Sequence, residues 1–322
     1  METKGTRNLI LMTGTPLTTP ADVYGYTRLL NPEAYPTHRV FENEHITGYD
    51  AYNNAVSYTN ENKLQTNFLF NGARVFRREI DPDLPEVSYE PMFYTLHPDH
   101  MRKYKELADQ ALLNLGADVK VDFATEAALQ NALQQVIIGY DQYFETEAEQ
   151  QKARAKIRAF ELLDEVMSSM GERKLIVYAY YKRTIASLLA HGAKYQAVAI
   201  NGTQTANQRH AALDKFINDP KCRLLIGQPL SMGSGLDTLK NVCHEVLFLE
   251  LPMVAKDFIQ AVGRIDRNGQ KNRCRVMLAI AEGTLQVRRQ KRLLDKDEQA
   301  NKIQNPSSTT AKQDLKAWIY GD

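Results

Sequence analysis

The sequence predicts an α/β fold built on a parallel sheet with helices on both faces. Three observations carry this. Short unbroken apolar runs at 174–179, 223–226, 245–249 and 275–280 alternate with helical stretches. A strand buried on both faces has no polar side, so it reads as a continuous apolar run rather than an alternating one. Turn-forming clusters, Gly202-Thr203 and the Gly/Ser-rich stretch 228–235, punctuate the periodic segments. Such β-α-β alternation places ligands at the carboxyl ends of the strands.

Along the chain, 9–12 (Leu-Ile-Leu-Met) reads as a buried strand and is followed by the turn cluster Thr13-Gly14-Thr15-Pro16. Residues 21–30 form a helix that Asn31-Pro32 ends. Residues 33–72, rich in Tyr, Asn and Thr, read as irregular structure with short helices, their tyrosines packed rather than stacked on bases. The stretch Asp81-Pro82-Asp83-Leu84-Pro85 is a stiff linker. Residues 89–96 alternate as a strand, while 98–115 and 123–170 are helical and rich in Ala, Gln, Glu and Lys. Then come strand 174–179, helix 182–190, strand 196–200, helix 207–217, strand 223–226, strand 245–249, helix 256–265 and strand 275–280. Residues 286–322 are charged and then polar.

Composition excludes several classes. With 43% hydrophobic and 25% charged residues, the 322-residue chain is globular rather than disordered, and long enough for two modest domains. A formal net charge of +1 means that any polyanion must be met by a local basic surface. Cys222, Cys243 and Cys274 lie far apart without a Cys-x-x-Cys pair, which argues against a zinc knuckle or a secreted disulfide framework. A reduced, cytoplasmic setting is expected. No apolar run reaches the ~20 residues of a membrane span, so no membrane partner is expected.

The stretch with most chemical content is Gln260-Ala261-Val262-Gly263-Arg264-Ile265-Asp266-Arg267-Asn268-Gly269-Gln270. On a continuous helix Gln260, Arg264 and Arg267 share a face. Two guanidiniums and an amide together suit a triphosphate, whose charge moves to the leaving oxygens during cleavage. After strand 223–226 comes Gln228-Pro229-Leu230-Ser231-Met232-Gly233-Ser234-Gly235-Leu236-Asp237. Its small residues let backbone amides approach phosphate oxygens, and Asp237 suits a ribose hydroxyl or an arginine. An ordinary strand-to-helix loop fits the same residues. Asn201-Gly202-Thr203-Gln204 precedes a helix and suits either a backbone phosphate or simple capping. His97-Pro98-Asp99-His100 reads as a helix cap rather than a metal pair.

Taken together, 13–17, Gly202-Thr203, 233–237 and 260–270 resemble, in order and spacing, motifs III to VI of Swi/Snf-type superfamily II helicases. Arg77-Arg78 followed by Asp83-Leu84-Pro85 resembles the stretch joining the two lobes of that family. The resemblance is tight over 174–284 and loose over 31–170. It implies two RecA-like lobes closing on ATP and Mg2+, with duplex DNA tracked across both. It gives Arg264 and Arg267 the part of finger and sensing arginines beside Gln260, and Thr13, Gly14, Thr15 and Pro16 that of the coupling motif. Gly202, Thr203, Ser231 and Gly233, with Arg77 and Arg78, fall on the nucleic-acid side. Gly235 and Asp237 fall in the loop between DNA and nucleotide.

The sequence departs from the family in two respects. Thr18-Thr19 stands where the pattern continues with Gln-Asn, and no Gly-Lys-Ser or Gly-Lys-Thr phosphate cradle occurs. The one Asp-Glu look-alike, Leu162-Leu163-Asp164-Glu165, lies in a helical stretch downstream of Thr13 and reads as a solvated helix face. The expected layout is a partial first RecA-like lobe at 1–80, a linker and helical insertion at 81–170, a second RecA-like lobe at 171–295 and a charged tail at 296–322. The expected function is the C-terminal part of an ATP-dependent DNA helicase or translocase, inactive as an ATPase alone and completed by an upstream P-loop lobe. The alternative is a non-enzymatic nucleic-acid-binding or regulatory module derived from such a lobe.

Overall fold

The computed structural model describes residues 9–14, 16–49, 53–70, 72, 81–115, 123–229, 238–252, 255–288 and 290. The chain divides into two compact units. Among the described residues, one comprises those between 9 and 82 with 255 and 256, and the other those between 83 and 252 and between 257 and 290.

The larger unit holds a six-stranded sheet. Its strands are β3 (Val87–Tyr94), β4 (Leu175–Tyr178), β5 (Val198–Ile200), β6 (Leu224–Gly227), β7 (Glu245–Phe248) and β8 (Cys274–Ala281). They lie in the order β3-β8-β7-β4-β6-β5, and every neighbouring pair is parallel. The apolar runs are therefore central strands, as their continuity requires. The pleat sends alternate side chains to opposite faces. Leu175, Val177, Leu224, Ile226, Leu247 and Met277 enter one core cluster, together with Phe160, Leu163 and Leu188. Ile176, Tyr178, Leu225, Val246, Phe248 and Val276 enter the other, together with Leu213, Phe216 and Ile265. The alternating stretch near 89–96 forms edge strand β3, paired along its length with β8 from Val87↔Cys274 to Tyr94↔Ala281.

The helices are placed by apolar stripes and by caps. In α7 (Arg158–Ser169) Ala159, Phe160, Leu162, Leu163, Val166 and Met167 are buried, the stripe expected of a helix lying on a core. The helical stretch 123–170 is broken into α5 (Phe123–Ile138), a 3-10 turn at Tyr140–Tyr143, α6 (Glu147–Arg154) and α7. Two causes are visible. A Cβ at Gly139 would meet Gln135 O at 3.0 Å and Arg183 Cβ at 3.1 Å, and a Thr146/Glu149 capping box starts α6 afresh. The stretch 98–115 is one helix, α4 (Pro98–Leu115). Helix α8 (Lys182–Gly192) follows β4, and α9 (Ala206–Asn218) follows β5, opened by a Thr205/Gln208 capping box. Lys174 Nζ closes the far end of α9 by donating to Ile217 O at 3.3 Å and Asp219 O at 2.9 Å. The short α10 (Leu239–Val242) precedes β7, and α11 (Ala255–Val262) joins β7 to β8.

The smaller unit is organised around Leu17, Val23, Tyr35, Phe41 and Leu64. Its helices are α1 (Asp22–Leu30), α2 (His38–His45) and α3 (Glu61–Leu69). Between α2 and α3 lies an antiparallel hairpin of β1 (Ile46–Tyr49) and β2 (Ala55–Tyr58), which the weak periodicity of 33–72 does not reveal. Tyr26 meets Phe68 edge-on and Tyr35 meets Phe41, while Tyr49 is 45% exposed.

The expected strand at 9–12 is not formed. Residues 9–13 are irregular, with Ile10 81% and Met12 90% exposed. A strand exists only as a member of a ladder, and no described strand pairs with this run.

Candidate nucleotide and nucleic-acid site

Helix α11 ends at Val262, earlier than its pattern predicts, so Gln260 is helical while Arg264 and Arg267 lie in the turns that follow. Gly263 N still bonds to Ile259 O, but Arg264 N and Ile265 N bond three residues back, to Ala261 O and Val262 O. The single helical face expected for Gln260, Arg264 and Arg267 therefore does not extend past Val262.

Arg264 is held beside Tyr178, the last residue of β4. The Tyr178 hydroxyl donates to Ala261 O at 2.9 Å, which fixes the end of α11 over the sheet. Burial pushes the pKa of this phenol far above its ordinary value, with the Arg264 charge opposing the rise. Among the described residues, Arg264 Nε is buried without a hydrogen-bond partner. A guanidinium donor shielded from water and unsatisfied by protein is costly, and it fits an anionic acceptor brought by a ligand.

Gln270 has a different part. Its Nε2 donates to Lys240 O at 2.9 Å and Ile265 O at 3.2 Å, while its Oε1 accepts from Lys271 N and Asn272 N, both at 2.9 Å. It is a buried brace for the connection into β8, with no capacity left for phosphate.

The carboxyl ends of β5 and β6 meet at the 201–204 turn. Gly202 N donates to Gln228 Oε1 at 3.0 Å. Thr203 N and Oγ1 both donate to Asn201 Oδ1, at 3.0 and 2.6 Å. The donors that sequence offers for a backbone phosphate thus have partners within the protein, and the turn is exposed at Gly202 and Thr203. At the ends of β7 and β4, Glu250 is fully buried and accepts from Tyr180 N at 2.6 Å, Tyr181 N at 3.2 Å and the Thr184 hydroxyl. Its carboxylate holds the two main-chain amides that lead into α8 and, through Thr184, the first turn of that helix. Sequence reasoning assigned no part to Glu250, Gln228 or Tyr178. The available signal was position: Tyr178 ends an apolar run, and Glu250 and Gln228 closely follow two others.

Thr13, Gly14 and Pro16 lie in the smaller unit, ahead of α1. Thr18 N and Thr19 N, at the departure from the family pattern, donate to Asp22 Oδ2 at 2.6 and 2.9 Å and so start α1. Thr15, Arg77, Arg78, Ser231, Gly233, Gly235 and Asp237 lie outside the described residues.

Two decoys resolve as scaffold. Asp164 accepts from His191 Nε2 at 2.9 Å, Lys194 Nζ at 2.6 Å and the Tyr195 hydroxyl at 2.8 Å. Burial alone would raise its pKa, but these three donors carry it below the ordinary carboxylate value. It ties α7 to the end of α8 and is no bare solvated face. His97 Nδ1 accepts from Asp99 N at 3.2 Å at the start of α4, while His100 is buried against Tyr140 with ring centroids 4.4 Å apart. Among the described residues no group of three or more His, Cys, Asp or Glu side chains converges as a metal site would require. The Arg264 donor thus suits an anionic acceptor, and the described residues assign no magnesium ligands.

Comparison with known proteins agrees with this architecture. Residues 158–269 match the helicase conserved C-terminal domain. The chain is 28% identical over 182 residues to an ATP-dependent RNA helicase, DBP3, of Lodderomyces elongisporus, covering 56% of this chain and 31% of that protein. It is 28% identical over 134 residues to a RAD54-like DNA repair and recombination protein of Drosophila persimilis, covering 39% of this chain and 17% of that protein. It thus spans less than a third of the length of these curated relatives. Among solved structures, the C-terminal part of the Fun30 ATPase domain superposes with a TM-score of 0.51 at 14% identity, over 70% of this chain and 100% of that one. The Sulfolobus solfataricus SWI2/SNF2 ATPase core domain superposes with a TM-score of 0.51 at 16% identity, over 92% of this chain and 62% of that one.

The parallel sheet and its helices are thus a RecA-like helicase C-terminal lobe. Residues 158–269 match that domain family, and in fold the chain is similar to the core of a SWI2/SNF2 ATPase.

Proposed function

We propose that this chain is the part of an ATP-dependent DNA translocase or helicase that supplies the phosphate-facing arginines. The observation that carries the reading is Arg264 Nε, buried and without a protein partner at the end of α11. In this reading Arg264 and Arg267 stabilise charge on the transferring phosphoryl group, and Gln260 flanks them. A guanidinium supplied in this way is worth roughly 10³–10⁵ in rate. ATP, when bound, supplies the phosphoanhydride whose cleavage drives the motor; the chain's own residues receive and orient the phosphate end.

The phosphate cradle and the metal carboxylates are contributed by a P-loop lobe outside this sequence, so the chain alone neither binds ATP tightly nor hydrolyses it. In this reading the Gly202-Thr203 turn contacts duplex DNA; the family resemblance assigns Ser231, Gly233, Arg77 and Arg78 to nucleic-acid contact, and Gly235 and Asp237 to the loop linking nucleic acid and nucleotide. Because Thr203 and Gly202 already have protein partners, their contact with a phosphate proceeds by exchange of hydrogen bonds. Likeness to RAD54-like DNA proteins supports DNA; the likeness to an RNA helicase makes RNA the comparison to run.

The test is complementation. A P-loop lobe of a Swi/Snf-type protein is mixed with this chain and phosphate release is followed with duplex DNA. The reading expects release that needs both fragments and falls at least ~10³-fold with Arg264→Ala. Release that is indifferent to Arg264→Ala overturns it.

A further inference from the structure

Parallel strands end in backbone groups that no ladder neighbour satisfies. In the large unit these ends are stitched together by one main-chain bond and several side-chain bonds. Glu282 N donates to Tyr94 O at 2.9 Å, joining β3 and β8. Gln286, fully buried, accepts from Ala281 N at 2.8 Å and donates to Leu249 O at 3.2 Å, joining β8 and β7. Glu250 then holds Tyr180 N and Tyr181 N, joining β7 and β4. Gln228 donates through Nε2 to Tyr180 O and accepts through Oε1 from Gly202 N, joining β4, β6 and β5. A continuous run of hydrogen bonds crosses the carboxyl edge of the sheet.

Gln228 is the pivotal member because it needs both halves of its amide. Its donor holds the turn after β4, and its acceptor holds the turn after β5. A carboxylate in its place would set an acceptor against Tyr180 O, and an aliphatic side chain would satisfy neither group. Glu250, two links away, stands where the chain leaves β7 towards α11 and its arginines.

We propose that Gln228 is a positioning residue that couples the Gly202-Thr203 turn, through Tyr180, to Glu250, so that movement at the end of β7 is transmitted to the turn. The labels of the two ends as nucleotide side and nucleic-acid side rest on the function proposed above; the coupling itself does not. Transmission through such a run is a statement about energetic coupling and has to be measured as one.

Hydrogen exchange in the purified chain reads it directly. Gln228→Leu is expected to speed exchange of the Gly202 amide about fivefold, the equivalent of one hydrogen bond. The decisive variant is Thr184→Val, which removes a bond to Glu250 and touches neither Gln228 nor the turn. Coupling predicts about threefold faster exchange at Gly202 as well, with Thr184→Ser returning it to the wild-type rate. Faster exchange at Tyr180 and Tyr181 in Thr184→Val, with Gly202 unchanged, overturns the proposal. Gln228→Asn, which keeps the amide but shortens its reach, serves if Gln228→Leu fails to fold, and is expected to act in the same direction. Affinity for a fluorescein-labelled DNA duplex separates this inference from the functional reading. If exchange at Gly202 responds to both variants while duplex affinity does not, the coupling stands and the nucleic-acid role of the turn fails.

Discussion

The Tyr178 phenol, at the end of β4, donates a 2.9 Å hydrogen bond to the main-chain carbonyl of Ala261, three residues before Arg264. One side chain from the centre of the sheet thus sets where the helix stops and where the arginine begins. Tyr178→Phe keeps the ring in its fully buried place and removes only this bond. The expected loss is about 1 kcal/mol of stability, read by urea unfolding. In the complemented motor it is expected to lower kcat more than it raises KM for ATP, because the arginine acts in the transition state.

Glu250 should behave as an anchor whose loss is felt through α8. Glu250→Leu leaves Tyr180 N, Tyr181 N and the Thr184 hydroxyl without their acceptor. It is expected to cost about 3 kcal/mol, and Glu250→Gln, which keeps an acceptor oxygen, about half of that. Urea midpoints of the two variants check the ratio. Equal midpoints for Glu250→Leu and wild type would contradict the anchoring role.

Acid should destabilise the large unit through His100. Burial pushes this imidazole down to about 4 from its ordinary 6.5, against the pull of the Val136 carbonyl it bonds at 2.6 Å, with His97 adding to the fall. The unfolded chain takes up the proton near 6.5 and the folded chain holds it off until about 4. The neutral ring's contribution is therefore intact above 6.5 and is lost as pH falls between those values, at about 1.4 kcal/mol per pH unit. Its ceiling is on the order of 3 kcal/mol. Urea midpoints from pH 7 to pH 4 are expected to fall, with a shallower slope in His100→Phe, which retains an aromatic ring against Tyr140.

The thiols should be inert in the native chain. Cys222, Cys243 and Cys274 are buried and free of disulfides. Burial raises Cys222 and pushes Cys243 up to about 12. The thiolate is the reactive form, so Ellman's reagent is expected to label none of them at neutral pH until the protein is unfolded. Fast labelling of Cys243 in native buffer would contradict its position between β7 and the rest of the core.

Much of this fold is legible in the sequence because its strands are buried on both faces. Runs such as Leu175-Ile176-Val177 announce a parallel sheet without any knowledge of their neighbours. The run at 9–12 looks the same, yet stays irregular and exposed, because apolarity alone does not supply a ladder partner. The end of α11 is not legible in its own pattern, because the Tyr178 bond to Ala261 comes from a residue 83 positions away. The hairpin of β1 and β2 was hidden because it is half exposed and irregular in register. Gln260, Arg264 and Arg267 stand out in the sequence by residue type and spacing alone. The supporting side chains Gln228, Glu250 and Gln286 do not, since their meaning lies in strand ends that meet only in three dimensions.

Phosphate release by the purified chain, in the presence of ATP, Mg2+ and duplex DNA, tests most directly whether Arg264 serves a phosphate cradle that the sequence itself does not supply. The account predicts no DNA-stimulated release from wild type, and therefore no difference between wild type and Arg264→Ala. DNA-stimulated release by the chain alone, abolished by Arg264→Ala, would contradict it.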